Sequence, residues 1–231
     1  MSSRYAIYFA PPRQSPWWAF GARWLGRDEQ LDTPLVQPVL QGVPPDALQG
    51  LTEEPRRYGF HATLKPPFHL AVGSREEDLL RRLEALAPKM SAVALGPMRV
   101  ASLGRFVALV PATPPPSLWA LATACVTGLD DLRAPLTSAE FARRQIATLT
   151  PREAELLGLY GYPHVLERFR FHMTLTGPVE DAMALRVIEK VTPRIAALNV
   201  EQPLSVDRLC LFVEKSAGAP LQRVADFGLA A

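Results

Sequence analysis

FHATL at residues 60–64 returns as FHMTL at residues 171–175, and these two copies contain two of the chain's four histidines. In both, a histidine stands two positions before a threonine. In an extended strand this spacing puts the histidine and threonine side chains on one face, and the flanking apolar side chains on the other. Each copy therefore predicts a strand that is anchored by Phe and Leu and presents an imidazole beside a hydroxyl.

The repetition of this pattern indicates a site for acid-base chemistry. An imidazole takes or gives a proton near neutral pH, and a neighbouring hydroxyl donates a hydrogen bond to an oxyanion. Two copies can supply one base and one acid. The alternative is structural: two buried strands whose histidines bond to backbone carbonyls, which is the favoured interpretation of a single isolated histidine. Because the whole pattern is duplicated, we predict a site built from His61, Thr63, His172 and Thr174.

The paired His-x-Thr motifs, each followed by leucine, resemble the signature of the two-histidine (2H) phosphoesterase superfamily. Three longer segments resemble, more narrowly, an uncharacterised branch often encoded beside phosphonate-utilisation genes: RYAIYFAP at 4–11, YGFHATLKPPF at 58–68 and FRFHMTLTGP at 169–178. The resemblance implies one bilobal domain over residues 1–231 with one motif in each lobe. It also implies a central cleft between two antiparallel sheets related by a pseudo-twofold axis, with helices outside, and a substrate contact at Tyr8.

The rest of the chain predicts an α+β protein whose element order repeats. Each motif strand is followed by a helix and then by two further strands, which favours two related lobes. The predicted elements are a strand at 4–9, a short helix near 17–25 in a loop-like stretch to about Gly50, a helix capped by Ser74 and Glu77, a hairpin of 98–103 and 106–111, two or three helices within 117–158 (one capped by Thr150), a helix at 182–197, and strands at 204–214 and 221–227.

The chemistry expected of this pair of motifs is hydrolysis of a cyclic phosphodiester. One histidine would take a proton from the attacking water while the other protonates the leaving oxygen on the opposite side of phosphorus. Thr63 and Thr174 would donate hydrogen bonds to the non-bridging oxygens. This scheme requires no metal and no other cofactor. We expect a bell-shaped dependence of the rate on pH.

Neighbours of the motifs are secondary candidates for substrate binding. Lys65 and Thr176 each follow a motif threonine by two positions, so they share its face if the strands continue. Arg56 precedes the first motif closely enough to attract an anionic substrate. His69 and His164 have no hydroxyl at the motif spacing, so we expect surface or structural roles for them.

Composition excludes several classes of protein. A net charge of +2 is too small for a surface that coats nucleic acid, and no segment approaches the roughly 18 apolar residues of a membrane span. The N-terminal residues do not resemble a signal peptide, so we expect a soluble cytoplasmic protein. Cys125 and Cys210 are predicted to be buried free thiols. Trp17, Trp18 and Trp24 are predicted core anchors, with an aromatic platform for a nucleobase as the alternative.

Two other functions stay open at this point. A metal hydrolase also uses histidines, but needs three or more converging ligands, and neither motif holds a second ligand residue. A non-catalytic module that binds phosphate or an RNA end needs threonines and basic residues, without two titrating imidazoles. The compatible substrates are a small sugar cyclic phosphate, a 2′,3′-cyclic nucleotide and an RNA end, and the resemblance favours a ribose cyclic phosphate in phosphonate metabolism.

Overall fold

The computed structural model describes residues 3–144 and 149–230. Its strands are β1 (Arg4–Phe9), β2 (Arg27–Asp28), β3 (Thr33–Pro34), β4 (Ala62–Phe68), β5 (Val93–Ala94), β6 (Met98–Leu103), β7 (Phe106–Pro111), β8 (Met173–Thr174), β9 (Ser205–Val206), β10 (Arg208–Glu214) and β11 (Gln222–Gly228). Its helices are α1 (Pro16–Leu25), α2 (Pro45–Arg56), α3 (Glu76–Leu86), α4 (Ser117–Thr127), α5 (Ser138–Arg144), α6 (Pro151–Tyr160) and α7 (Asp181–Glu201). The fold is α+β, as the sequence predicted. No helix in the described ranges is long and apolar enough to cross a membrane.

Each of the two largest sheets ends in one motif strand. The first sheet has the strand order β11-β10-β1-β4, the second has the order β6-β7-β8, and the neighbours within each are antiparallel. β4 and β8 are therefore both edge strands, and they approach each other in space. Two motifs that are far apart in sequence meet where the edges of two sheets meet.

The element order repeats as predicted, but the repeats exchange strands. β4 is followed by α3, β5, β6 and β7, while β8 is followed by α7, β9, β10 and β11. β7 pairs with β8, whereas β10 joins β4 through β1, and the short strands β5 and β9 pair with each other. Each large sheet thus combines the motif strand of one repeat with the hairpin of the other. Neither sheet is formed by one half of the sequence alone.

A β-bulge changes the direction of side chains along β4. Tyr8 of β1 lies opposite Thr63, but Ile7, the next residue of β1, lies opposite Lys65, so Leu64 is an extra residue on β4. A bulge turns the following side chain relative to simple alternation. Lys65 therefore shares the face of the buried Ile7 rather than that of Thr63.

Helix α1 has a recognisable cap at each end. The Ser15 hydroxyl accepts a hydrogen bond from the backbone N–H of Trp18 at 3.1 Å, and Pro16 occupies the first turn. Gly26 ends the helix with a φ of 77°, a left-handed conformation that glycine adopts without strain. The predicted helix near residues 17–25 is confirmed.

Helix α2 was not predicted, because Pro45, Gly50 and Pro55 make its segment resemble a loop. Pro45 lies in the first turn, where its missing N–H has no partner to lose. Leu48 and Thr52 face the core and pack the helix against α1. The expectation of loop structure to about Gly50 is therefore wrong for residues 45–50.

The predicted cap of α3 is wrong by one position. The helix begins after Arg75, whose backbone N–H donates to Asp78 Oδ2 at 2.8 Å, so Ser74 and Glu77 do not form the capping pair. The cap of α6 is as predicted, with the Thr150 hydroxyl accepting from the N–H of Glu153 at 3.3 Å. The hairpin of β6 and β7 and the three helices within 117–158 are also confirmed.

Two tryptophans connect distant parts of the core. Trp17 and Trp24 are fully buried, which confirms them as core anchors. The indole N–H of Trp17 donates to the carbonyl of Gln202 at 2.6 Å, and that of Trp24 donates to the carbonyl of Leu175 at 2.8 Å. Trp18 is only half-buried. Since Leu175 follows the second motif directly, Trp24 ties α1 to the backbone of that motif.

The two cysteines are buried and unpaired, as predicted. Cys125 lies in the main hydrophobic cluster, which draws on both large sheets. Cys210 lies in a smaller cluster on the other face of β1 and β10. Burial raises the pKa of both thiols. They are therefore part of the packing and are poor nucleophiles at neutral pH.

Candidate active site

The first histidine is held by the turn that precedes β4. His61 Nδ1 lies 2.9 Å from the carbonyl oxygen of Gly59, so in the neutral ring Nδ1 donates and Nε2 carries the lone pair. Thr63 Oγ1 lies 3.3 Å from that Nε2. Gly59 has a φ of 76°, and a Cβ built on it would lie 2.7 Å from Cβ of Glu29. Both conformation and space therefore require glycine at the residue that orients His61.

Aromatic rings surround His61. The Tyr8 ring stacks on the imidazole with centroids 3.8 Å apart and an interplanar angle of 24°. Tyr58 and Phe212 lie 6.1 Å and 6.2 Å away by the same measure. Burial lowers the pKa of His61 to about 4; the bond to Gly59 opposes this shift and the charge of His172 adds to it. His61 is therefore neutral at physiological pH and able to accept a proton.

The second histidine has the same local arrangement as the first. His172 Nδ1 lies 2.8 Å from the carbonyl oxygen of Arg170, again two residues earlier, which leaves Nε2 for a substrate. The Phe106 ring lies beside the imidazole, with centroids 5.6 Å apart. Burial lowers the pKa of His172; the bond to Arg170 opposes the shift and the charge of His164 adds to it. The two motifs thus present two imidazoles held in one tautomer.

The four motif side chains line two adjoining pockets of one cleft. The large pocket has a volume of about 730 Å³ and is lined by Thr63 and His172, among other residues. The small pocket has a volume of about 320 Å³ and is lined by His61 and Thr174. Phe106 lines both, so the two pockets adjoin at this residue. The structure therefore brings the four predicted motif residues together.

Of the secondary candidates, Thr176 lines the small pocket, whereas Tyr8 is fully buried and lines neither pocket. The substrate contact expected at Tyr8 is therefore corrected: its ring packs against the imidazole of His61 instead. Tyr8 stacks on His61, as described above, and burial raises the pKa of its phenol, which stays protonated. Thr176 lines the small pocket, and its hydroxyl oxygen accepts from the backbone N–H of Val107 at 3.0 Å. Thr176 is fully buried, so its hydroxyl fixes the backbone of β7 at the wall of the pocket.

Lys65 and Arg56 lie elsewhere, which corrects both expectations. Because of the bulge in β4, the Lys65 amine is buried, 2.9 Å from the Val126 carbonyl and 3.2 Å from Asp130 Oδ1. Arg56 Nε donates to the Leu25 carbonyl at 2.6 Å, which fastens α2 to α1. Neither residue lines the large or the small pocket.

Several residues of the cleft were missed by the sequence analysis. Arg105, at the tip of the β6–β7 hairpin, and Tyr58 line the small pocket. His164, for which a surface or structural role was expected, lines the large pocket together with Arg168 and Arg170. The alternation in RFRFH at residues 168–172 was a signal for the two arginines, since it puts them on the face of His172. Within residues 3–144 and 149–230, no three His, Cys, Asp or Glu side chains are grouped as metal ligands.

Among solved structures, the chain aligns over nearly its whole length with several proteins at low identity. It aligns along its whole length with all of E. coli LigT complexed with 3′-AMP, at 15% identity and a TM-score of 0.44. A second structure, described as a phosphoesterase, also aligns over the full length of both chains, at 14% identity and a TM-score of 0.42. Kluyveromyces marxianus Usb1 aligns with 96% of this chain and 98% of its own, at 9% identity and a TM-score of 0.38.

Two curated relatives share much more sequence. The Janthinobacterium sp. (strain Marseille) protein named ribose 1,5-bisphosphate phosphokinase PhnN is 42% identical over 221 residues, which is 94% of this chain and 49% of the relative. The protein of the same name from Laribacter hongkongensis (strain HLHK9) is 36% identical over 217 residues, with the same shares of each chain. The chain thus spans about half the length of these relatives.

A family model also matches most of the chain. It covers residues 63–222, a range that begins at the first motif threonine and includes the whole second motif. Its description is a protein of unknown function, DUF1045. The chain therefore belongs to the DUF1045 family.

Proposed function

We propose that this protein is a metal-independent phosphoesterase of the 2H type that hydrolyses a cyclic phosphodiester. One observation carries the proposal: two His-x-Thr motifs from the edges of two sheets line one cleft, and each histidine bonds through Nδ1 to the carbonyl two residues earlier. Part of the proposal is that residues 1–231 form one bilobal domain whose two lobes are related by a pseudo-twofold axis between the motif strands. The repeated element order supports that symmetry.

In the proposed reaction, His61 acts as the base and His172 as the acid. A base must be neutral at the start, and the lowered pKa of His61, about 4, meets that requirement. His61 Nε2 takes a proton from water while the water oxygen forms a bond to phosphorus. The bond from phosphorus to the leaving ring oxygen breaks, and His172 gives its proton to that oxygen. The product is a phosphate monoester with a free hydroxyl.

The threonines are proposed to stabilise charge on the phosphoryl group. In the free protein the Thr63 hydroxyl lies 3.3 Å from His61 Nε2, and Thr174 lines the small pocket with His61. Hydroxyls beside the histidines can donate to the non-bridging oxygens, where negative charge increases in the transition state.

The proposed substrate is a small sugar cyclic phosphate, with a 2′,3′-cyclic nucleotide as the second choice. The two curated relatives are named for a ribose bisphosphate kinase, and this chain corresponds to about half of each. A cyclic ribose phosphate, once hydrolysed, becomes a ribose phosphate monoester, the type of compound that such a kinase uses. The relatives' names thus support a phosphorylated pentose as substrate. The proposal also includes the expected role in phosphonate metabolism and the expected cytoplasmic location.

The test is hydrolysis in the presence of excess chelator. The panel contains ribose 1,2-cyclic phosphate, 2′,3′-cyclic nucleotides and an RNA with a cyclic phosphate end. We expect wild-type turnover, and a loss of roughly 100- to 10,000-fold in both His61→Ala and His172→Ala, since each removes one proton-transfer group.

The alternatives give different results in the same assay. Activity that is lost on chelation and restored by a divalent metal would support a metal hydrolase. Tight binding of phosphate esters without turnover, retained when both histidines are replaced by asparagine, would support a non-catalytic binding module. Either result would contradict the proposed acid-base pair.

A further inference from the structure

The large pocket extends well past the reacting groups. Its volume of about 730 Å³ lies in the range of sites that enclose a drug-sized ligand, which is more than a five-membered cyclic phosphate fills. Beyond His172 it is lined by His164, Arg168 and Arg170. We propose that these three residues bind a second phosphate group, so that the substrate is a cyclic phosphodiester that also carries a phosphate monoester. This inference rests on the proposed function for the first phosphate.

The two arginines lie on the face of the second motif. Along residues 168–172, Arg168 and Arg170 are exposed, whereas Phe169 and Phe171 are buried. This alternation puts Arg170 on the side of His172, at about 7 Å along an extended backbone.

The guanidinium groups are available to a ligand. Neither Arg168 nor Arg170 has a side-chain hydrogen bond or ion pair with any residue that the structure describes. Elsewhere in the chain, arginines such as Arg27, Arg133 and Arg223 are engaged by carboxylates and carbonyls. A guanidinium offers a planar fork of donors that matches a phosphate, and two of them beside one pocket favour a doubly charged group.

The carboxylates of the same pocket already have partners. Glu153 Oε2 accepts from the backbone N–H of Thr150 at 2.9 Å and from its hydroxyl at 2.8 Å. Glu167 accepts two hydrogen bonds from Arg152, at 2.5 Å and 3.3 Å. Glu153 Oε1 lies 3.7 Å from His164 Nδ1. Arg168 and Arg170 line the same pocket and have no side-chain hydrogen bond or ion pair with a described residue, while the charge of Arg168 also helps to lower the pKa of both carboxylates. These two guanidinium groups are the ones that a second phosphate would contact.

The loop that carries these groups is held in one shape. Leu166 has a φ of 52°, a left-handed conformation that is uncommon for leucine and is found preferentially at functional sites. The neighbouring Val165 is buried in an apolar cluster with Val126 and Leu156. The N–H groups of Arg168 and Phe169 donate to carbonyls within the loop at 3.0 Å. A fixed loop lowers the entropic cost of binding an anion.

Calorimetry with matched ligands tests this site without turnover. One arm compares ribose 1-phosphate with ribose 1,5-bisphosphate, and the other compares 3′-AMP with adenosine 3′,5′-bisphosphate. In the wild type we expect the bisphosphate to bind at least about tenfold more tightly in one arm, which identifies a sugar or a nucleotide as the carrier. In Arg168→Gln/Arg170→Gln the preference should fall to about twofold or less. Arg186→Gln is the control, because Arg186 is exposed on α7 and lines neither pocket.

Three results would overturn the inference: no preference for either bisphosphate, a preference that survives the double substitution, or no binding of any of the four ligands. A preference that is lost in the double variant supports the second site even if the hydrolysis assay finds no turnover. Failure of the proposed reaction and failure of the second site are thereby distinguished.

Discussion

At the scale of single residues, the two motif histidines share one tautomer but lie in different surroundings. Tyr8 stacks on His61, which is enclosed by further aromatic rings, whereas His172 has Phe106 on one side and a pocket with arginines beyond it. Burial lowers the pKa of both imidazoles, and lowers that of His61 to about 4. An enzyme with one base and one acid needs this kind of difference, because the two groups must start in opposite protonation states.

The rate should therefore depend on pH as an asymmetric bell. His61 must be neutral, so kcat/KM should fall below the His61 pKa of about 4. His172 must be protonated, and since burial holds its pKa below the usual 6.5, kcat/KM should fall again before neutral pH. The optimum should lie between these two limits. Steady-state kinetics in overlapping buffers measure it, and a kcat/KM that stays flat from about pH 5 to about pH 9 would contradict the acid-base pair.

At the scale of elements, the bulge in β4 decides which side chains reach the cleft. Thr63 lies opposite Tyr8 and beside His61, while Lys65, two residues later, turns into the core. The alternation rule predicts a common face for these two residues, and it fails because a bulge adds one residue to one strand without a signal in the local pattern. Strand β8 ends at Thr174, yet Thr176, two residues later, lines the small pocket together with Thr174.

Substitutions of Thr63 and Lys65 should distinguish a residue of the active site from a residue of the core. Thr63→Val keeps the shape of the side chain and removes its hydroxyl, so we expect kcat to fall by about 10- to 1,000-fold with little loss of stability. Lys65→Met keeps the length of a buried chain and removes its charge. Asp130 keeps its bonds to Arg133, so we expect kcat/KM to change by less than about threefold. Steady-state kinetics and urea unfolding of both variants check this. A large loss of kcat in Lys65→Met without a matching loss of stability would show that Lys65 contributes to catalysis.

The sequence predicted local elements better than it predicted what surrounds them. The hairpin at Gly104 and the cap of α6 depend on neighbouring residues, and they were predictable for that reason. Helix α2 was not, because its prolines occupy positions that a helix tolerates but that a sequence pattern assigns to loops. The site was predictable as a set of four motif residues, because the pattern is repeated. The alternation at 168–172 could have indicated Arg168 and Arg170. Arg105 could be assigned to the site only from the structure, which shows that it lines the small pocket.

At the scale of the whole molecule, the site depends on how two sheets are joined. Each sheet combines the motif strand of one repeat with a hairpin of the other, and the motif strands meet at their edges. No local pattern contains that exchange of strands, since it arises from packing between segments far apart in the chain. We therefore expect that contacts outside the cleft help to fix the position of one motif strand relative to the other, and with it the position of the two histidines. The bond from Trp24 to the carbonyl of Leu175 is one of these contacts.

Replacing Trp24 should therefore affect catalysis more than replacing Trp17. Trp24→Phe leaves the buried Leu175 carbonyl without its indole donor and removes packing volume, so we expect a loss of about 1–3 kcal/mol of unfolding free energy and a fall in kcat of tenfold or more. Trp17→Phe is the matched control, because Trp17 is equally buried and its indole also donates to a carbonyl, but that carbonyl belongs to Gln202 at the end of α7. It should lose similar stability and keep its kcat within about threefold. Urea unfolding and single-turnover kinetics at saturating substrate make the comparison. Equal losses of kcat in the two variants would show that the rate depends on the overall stability of the core and not on the hydrogen bond from Trp24 to Leu175.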